Sequence, residues 1–151
     1  MNEKEQAIKH CAYFFEVLVK QFIELEKHIH KQCRFLSLFR KINFVDITNK
    51  FIILKEKAIE IKHSLSTIEN KKDDEELYSF ICILEECVII YIDMIETQIK
   101  INTGLSLKAN GETYNWNDYR ESLKYFDTIR DKLELKLKQL QVNYAQLINS
   151  K

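Results

Sequence analysis

The sequence predicts an all-α fold, an up-down-up-down four-helix bundle with a short β-hairpin at about 105–116 between the third and fourth helices. Apolar residues recur three and four positions apart over long segments, and the chain contains no proline to interrupt them. Both glycines and the only tryptophan fall between positions 104 and 116. With 151 residues, 46% of them hydrophobic and 30% charged, the chain is expected to form one globular domain over 1–151.

The first helix is predicted to run from about residue 3 to the low forties. Its apolar seam alternates steps of three and four through Ile8, Cys11, Phe15, Leu18, Phe22, Leu25 and Ile29. Forty helical residues would extend about 60 Å, which is more than a bundle of this size needs. We therefore expect a kink or break between Lys31 and Ser37, or alternatively an end near Asn43.

The second helix is predicted to begin at Asp46 or Thr48, because either side chain can cap a helix N-terminus. It should end before the polar run that starts at Asn70. Its apolar seam consists of Ile47, Phe51, Leu54, Ala58, Ile61, Leu65 and Ile68.

The third helix is predicted to begin at Asp73, which precedes Glu76 at the spacing of a capping box. Two neighbouring apolar stripes follow. The first consists of Leu77, Ile81, Leu84, Val88, Tyr91 and Ile95, and the second of Phe80, Ile83, Cys87, Ile90 and Met94. A helix that is apolar around most of its circumference lies at the centre of a fold or is shared with another subunit.

The dipeptide Asn110-Gly111 predicts a hairpin, because a two-residue type I′ turn requires positive φ at both central positions. Folding about this turn would pair Leu107 with Tyr114 and Leu105 with Trp116 on one face. An isolated hairpin is only marginally stable in water. This apolar face should therefore pack either on the helical bundle or on a partner.

The fourth helix is predicted to begin at Asn117 or Asp118. Its seam consists of Tyr119, Leu123, Phe126, Arg130, Leu133, Leu137, Leu140, Tyr144 and Leu147. Leu135 and Val142 project from the opposite face. Arg130 interrupts the seam, and a charge there needs a partner or a route to water. It either reaches Glu85, Asp93 or Glu96 on the third helix, or a small rotation places Ile129 in the core and lets Arg130 extend outward.

Composition excludes several classes of function. The 23 basic and 23 acidic residues cancel, so the chain lacks the charge that nucleic-acid binding needs. Two glycines cannot build a phosphate-binding loop, and no cofactor is expected. The most apolar window, 80–95, contains three carboxylates and is shorter than the roughly 20 residues of a membrane span. Cys82 and Cys87 diverge too far around one helix for a disulfide, and so do Cys11 and Cys33 if they share one straight helix. Four free thiols suit a reducing cytoplasm, and bridges between helices are the alternative.

Two weaker chemical signals involve histidine. His63 is expected to be exposed on the second helix, as in histidine phosphotransfer bundles, but Ser66 and Thr67 stand where those domains carry lysine and glycine. Glu26, His30 and Cys33 share one helical face and could hold a metal ion if another ligand completed the site. A salt bridge between Glu26 and His30, with Cys33 as ordinary packing, is the alternative.

The sequence therefore predicts a non-catalytic protein–protein interaction module, such as a small adaptor, inhibitor or immunity-type protein. The chain carries more apolar surface than four helices can cover, so homodimerisation through the third and fourth helices is expected. The predicted interaction surface consists of Leu107, Tyr114, Trp116, Tyr119, Ile83, Ile90, Leu135 and Val142. One alternative is an enzyme or histidine phosphocarrier that uses His63. The other is a bundle that binds a small ligand or a metal ion, with a pocket lined by Glu85, Asp93 and the tyrosines.

Overall fold

The computed structural model describes residues 2–33, 43–68 and 73–149, with side chains in the first range up to Ile29. These residues form four helices and no strand. Helix α1 comprises Glu3–Tyr13, a π-helical segment Phe14–Val19 and Lys20–Cys33. Helices α2, α3 and α4 are Phe44–Ser66, Glu75–Ala109 and Trp116–Asn149. The protein is thus an all-α helical bundle. The interval from Lys31 to Ser37, where a kink is predicted, is helical as far as Cys33, and the rest of it lies outside the described residues.

Helix α1 begins at Asn2, whose side chain accepts a hydrogen bond of 2.8 Å from the Glu5 amide. Its core face differs in part from the predicted seam, because Ala7 and Phe14 are fully buried while Ile8 and Phe15 are only half-buried. The π-helical segment explains part of this shift, since its wider turn changes the phase of the residues on either side. The apolar spacing gave no sign of this segment.

Helix α2 begins earlier than predicted. Asn43 is the cap, and its side chain accepts a hydrogen bond of 3.0 Å from the Asp46 amide. The first turn therefore adds Phe44 to the core. The seam itself is confirmed, since all its predicted members are buried: Ile47, Phe51, Leu54, Ala58, Ile61, Leu65 and Ile68.

Helix α3 begins one residue later than predicted, with Asp74 as the cap that accepts from the Leu77 amide at 3.1 Å. Every member of its first stripe is buried, and so is every member of the second except Ile83, which is half-buried. Helix α3 therefore lies at the centre of the fold. Its neighbours lie on two sides: Lys55 of α2 pairs with Glu96 at 3.1 Å, and Lys136 of α4 pairs with Glu86 at 2.6 Å.

The predicted β-hairpin is wrong. Residues 105–109 are the last turn of α3, and the chain reverses through Asn110 and Gly111 into α4. Only Gly111 has positive φ, +81°, whereas Asn110 has φ −89°, so a type I′ turn does not form. Instead the Glu112 amide donates to the Leu107 carbonyl at 2.9 Å and the Gly111 amide to the Lys108 carbonyl at 3.1 Å. These two bonds are a Schellman C-cap, which uses glycine to end a helix.

Tyr114 folds back onto the end of α3 at Gly104. A Cβ atom placed on Gly104 would overlap three ring carbons of Tyr114, each nearer than the 3.0 Å that real Cβ atoms keep. Gly104 is therefore required by the close approach of the ring to the helix. This contact replaces the predicted cross-strand pair of Tyr114 with Leu107.

Helix directions follow from contacts along α3. Glu86 contacts Lys136, and Asp93 contacts Tyr125, so α4 runs antiparallel to α3. Helix α1 runs parallel to α3, because Leu18 contacts Tyr91 while Ile29 lies near Gln98, Ile101 and Leu105. None of the helices in the described ranges is both long and apolar enough to cross a bilayer.

Candidate functional site

A groove runs between α1 and α4, and three cavities of about 250, 120 and 310 Å³ lie along it. We call it the α1–α4 groove. The first cavity lies between Ala12, Phe15 and Glu16 of α1 and Leu140, Gln141 and Tyr144 of α4. The second lies between Val19, Ile23 and Glu26 of α1 and Arg130, Glu134 and Leu137 of α4. The third lies between Ile29 of α1 and Tyr119, Leu123 and Asp127 of α4.

The cavities are successive parts of one surface. Glu26 and Arg130 line both the second and the third cavity. Phe15 and Val19 are one helical turn apart on α1, and Leu137 and Gln141 are one turn apart on α4, so the first cavity adjoins the second. The groove therefore follows both helices along most of their length.

Helix α3 forms the floor of the groove. Tyr91 and Met94 lie under the second cavity, and Gln98, Ile101 and Leu105 lie under the third. Aromatic residues of α1 pack on this floor, because the Phe14 and Phe22 rings meet the Tyr91 ring edge-on at 5.3 and 5.9 Å. The floor is therefore part of the packed core.

A buried hydroxyl fixes α1 to this floor. The Tyr91 hydroxyl donates to the Leu18 carbonyl, at the π-helical segment, over 2.7 Å. Burial raises the pKa of Tyr91 far above its ordinary range, so the hydroxyl stays protonated and remains a donor. This hydrogen bond ties the irregular part of α1 to the centre of α3.

A buried amide pair lies close to the third cavity. The Gln98 side-chain amide donates to the Asn102 side-chain oxygen at 2.9 Å. Asn102 is fully buried, and its own amide nitrogen has no hydrogen-bond partner among the described residues. Gln98 therefore presents a polar group to a cavity whose floor is otherwise apolar.

Contacts across the groove are few and lie near its middle. The rings of Phe22 and Phe126 are stacked at 6.1 Å, and the Arg130 guanidinium lies 3.5 Å from the Glu26 carboxylate. Arg130 also lies over the Phe126 ring at 4.9 Å and pairs with Asp127 at 2.9 Å.

Arg130 follows the second of the two predicted alternatives. Among the described residues its ion-pair partners are Glu26 and Asp127, and it does not pair with Glu85, Asp93 or Glu96 of α3. Ile129 takes the core position, while the Arg130 side chain is 39% exposed. Its Nε atom is buried and has no hydrogen-bond partner among the described residues, so a donor remains in the wall of the groove.

The charges that line the groove are mostly negative. Glu16, Glu26, Asp127 and Glu134 line it, opposed by the single guanidinium of Arg130, and the lining contains no lysine among the described residues. The whole chain has a formal net charge of zero. The negative charge is therefore a local property of the groove.

The predicted interaction residues do not form one surface. Ile90 is buried and Ile83 is half-buried against the core, so neither belongs to an exposed patch. Leu135 and Val142 are 63% and 57% exposed on the outer face of α4, away from the core. They lie seven residues apart, and therefore close to one line along the helix.

The aromatic residues near the α3–α4 turn pack largely on one another. Trp116 stacks on Tyr119 at 5.0 Å and carries the Lys108 ammonium over its ring at 4.5 Å. Tyr114 meets Tyr119 edge-on at 6.2 Å, and both are half-buried. Leu107 and Trp116 remain 39% and 48% exposed. Of this group, Tyr119 alone lines the α1–α4 groove.

Exposed branched residues that sequence reasoning missed lie on α1 and α2. Ile23 is 46% exposed in the second cavity of the groove. Val45, Ile52 and Ile59 are 63%, 37% and 45% exposed on the outer face of α2. The signal for α2 was present, because these three residues are spaced by seven and lie opposite the buried seam.

The two predicted histidine sites are centred on His63 and on His30. His63 is exposed, as expected, but it lies in the last turn of α2, where the Ser66 hydroxyl donates to its carbonyl at 2.6 Å. The His30 and Cys33 side chains lie outside the described residues, so their predicted arrangement with Glu26 stays a prediction. Among the side chains that are described, no group of three or more histidine, cysteine or acidic residues could hold a metal ion.

The alternative pocket appears as a polar depression of about 420 Å³ between α3 and α4. Asp93 and Tyr125 line it, and the Tyr125 hydroxyl donates to the Asp93 carboxylate at 2.8 Å, which raises the pKa of the tyrosine. Glu85 is not part of its lining. Its remaining walls carry Glu96, Lys100, Asp118 and Glu121.

No protein-family model, no curated protein and no solved structure is significantly similar to this chain.

Proposed function

We propose that the protein is a non-catalytic protein–protein interaction module and that the α1–α4 groove is its binding site. The observation that carries this proposal is the open, mainly apolar groove, which runs over several turns of both helices. Grooves of this kind take up the apolar face of a partner's helix. Ile23, Leu123 and Tyr144 are exposed apolar or aromatic residues in its walls and would serve as contact points.

The chemistry of the groove supports binding over catalysis. Cys11 is the cysteine of its lining, and burial raises the pKa of its thiol to about 12. A thiol with that pKa is protonated at neutral pH and is a poor nucleophile. Glu26 and Asp127 both pair with Arg130, and the Glu26 pair joins the two walls of the groove. These carboxylates are therefore engaged in ion pairs.

A second, homotypic contact through α4 is favoured by Leu135 and Val142. Both are more than half exposed on the outer face of this helix. A second copy packed there would cover both residues, and the homodimer would leave the α1–α4 groove free. We also propose a reducing, cytoplasmic location, because Cys11, Cys82 and Cys87 are free thiols and such thiols persist in that environment.

Two matched variants test the proposed function. Ile23→Arg places a charge in the groove, whereas Ile59→Arg places the same charge on the outer face of α2 at nearly equal exposure, 46% against 45%. Proteins that co-purify with the tagged wild-type chain from its native host would be compared by quantitative mass spectrometry. We expect a specific partner to be lost with Ile23→Arg and retained with Ile59→Arg. Identical sets of co-purifying proteins for both variants would contradict the proposal.

Light scattering at several concentrations tests the homodimer separately. We expect Leu135→Glu combined with Val142→Glu to shift a dimer to a monomer, while Ile23→Arg leaves the dimer intact. A wild-type chain that stays monomeric at every concentration would remove the homotypic contact and leave the groove proposal in place.

A further inference from the structure

We propose that the α1–α4 groove binds a basic amphipathic helix of a partner protein. This inference rests on the proposed function and adds the chemistry of the partner. It follows from the shape of the groove, from the charges along its walls and from the placement of its apolar residues.

The shape of the groove suits a helix. Its α4 wall from Tyr119 to Tyr144 extends about 38 Å at about 1.5 Å per residue, enough for a helix of about seven turns. The two walls run antiparallel, with Ala12 opposite Tyr144 and Glu26 opposite Arg130. A cleft between two such helices receives a third helix as ridges pack into grooves.

The apolar residues of the walls are spaced as a helix requires. On α1, Phe15, Val19 and Ile23 are four residues apart and follow successive turns of the groove. On α4, Leu133 and Leu137 face them across the second cavity. An incoming helix would meet this surface with apolar residues three, four and seven positions apart, the spacing of helix-in-groove ligands.

The charges select the sign of the partner. Four carboxylates line the groove against one guanidinium, and that guanidinium already pairs with two of the four, Glu26 and Asp127. Glu16 and Glu134 lie at exposed positions beside the apolar floor. Lysine or arginine at the edges of a docked helix would meet these carboxylates, whereas an acidic helix would be repelled.

The experiment uses two synthetic helices of about 18 residues, roughly 27 Å long, labelled with fluorescein. The Lys–Leu peptide carries leucine at positions i, i+3, i+4 and i+7 and lysine elsewhere, and the Glu–Leu peptide replaces every lysine by glutamate. Fluorescence anisotropy measures their binding to the full chain. We expect the Lys–Leu peptide to bind at least about tenfold more tightly than the Glu–Leu peptide, with the difference shrinking as salt is added.

Variants locate the binding site. Ile23→Arg should lower the affinity for the Lys–Leu peptide by about tenfold, because the new side chain obstructs the groove. Glu134→Lys should lower it by a similar factor, because it reverses a charge in the groove wall. The controls Ile59→Arg and Glu56→Lys make the same changes on exposed positions of α2 and should alter binding by no more than about twofold. Circular dichroism checks the fold of each variant. If Ile23→Arg fails to fold, Ala12→Arg, at an exposed position of the first cavity, takes its place.

Four results are distinguishable. Tight Lys–Leu binding that depends on Ile23 and Glu134 supports the inference. Equal or tighter Glu–Leu binding that still depends on Ile23 overturns the choice of charge and leaves the proposed function standing. Loss of self-association in Ile23→Arg without binding of either peptide shows that a second copy occupies the groove, which also overturns the inference alone. Peptide binding that is unchanged in every groove variant overturns both the inference and the proposed function. So does the absence of peptide binding together with no effect of Ile23→Arg on self-association or on co-purifying partners.

Discussion

Replacing Gly104 by alanine changes the contact between the end of α3 and the ring of Tyr114. In an unobstructed helix the change would stabilise the protein by about 1 kcal/mol, because alanine is a better helix former than glycine. Here the new Cβ would overlap three carbons of the Tyr114 ring, and the ring must move away. Two opposing effects therefore decide the sign of the change in stability.

The displaced ring gives the larger effect. Moving the half-buried Tyr114 ring returns on the order of 100 Å² of apolar surface to water, which costs about 2.5 kcal/mol at about 25 cal/mol per Å². After the gain in helix propensity, Gly104→Ala should lower the free energy of unfolding by about 1.5 kcal/mol. Urea unfolding followed by circular dichroism measures this difference directly.

A second background isolates the cause. In a Tyr114→Ala chain the ring is gone, so Gly104→Ala should now stabilise by about 1 kcal/mol. The change of sign between the two backgrounds is the result that the contact requires. Stabilisation by Gly104→Ala in the wild-type chain would refute the reasoning, since it would mean that Tyr114 does not rest on Gly104.

Three further changes have defined outcomes. Gly111→Ala should lower the free energy of unfolding, measured with urea, by about 1 kcal/mol, because the C-cap holds Gly111 at φ +81°. Unchanged stability would show that the helix ends in another way. Tyr91→Phe should cost about 1–2 kcal/mol by removing the buried hydrogen bond to the Leu18 carbonyl, and a cost near zero would contradict this pairing. Burial raises the pKa of Cys11 and Cys87 from 9.0 to about 12. Their contribution to stability should be complete below pH 9 and should decline from pH 9 towards 12, as the unfolded thiols ionise first. Urea unfolding on both sides of pH 9 should show this slope, and a Cys11→Ala, Cys87→Ala chain should show a weaker one.

The seams of α2 and α3 were predictable because burial alone determines them. The members of the α2 seam from Ile47 to Ile68 recur at the helical period, and each is buried. Periodicity locates the core face without knowledge of the neighbours. It locates the ends less well, since Asn43, Asp46 and Thr48 are all competent caps, and the structure uses the first.

The turn after α3 could not be predicted from local chemistry. Asn110-Gly111 suits a type I′ hairpin turn and a helix C-cap equally, because both use glycine at positive φ. The helix is favoured by a contact between residues ten positions apart, in which the Tyr114 ring packs against Gly104. The two glycines thus serve one feature, the end of α3, rather than the two sides of a hairpin.

The groove could not be predicted from the sequence because it depends on how α1 and α4 separate. The seam of α4 places Leu123, Leu133 and Leu137 towards α1, but spacing does not tell whether two facing seams close on each other. The π-helical segment of α1 also changes which residues face α4. What the sequence did indicate was an excess of apolar surface, and part of that excess lies in this groove.

Methyl NMR on isoleucine-labelled protein tests the binding groove most directly. During titration with the Lys–Leu peptide, the Ile23 methyl resonance should shift progressively, because this residue is exposed in the groove wall. The Ile59 resonance, from an equally exposed residue on the outer face of α2, should stay in place. Shifts at Ile59 with none at Ile23 would contradict the assignment of the α1–α4 groove as the binding site.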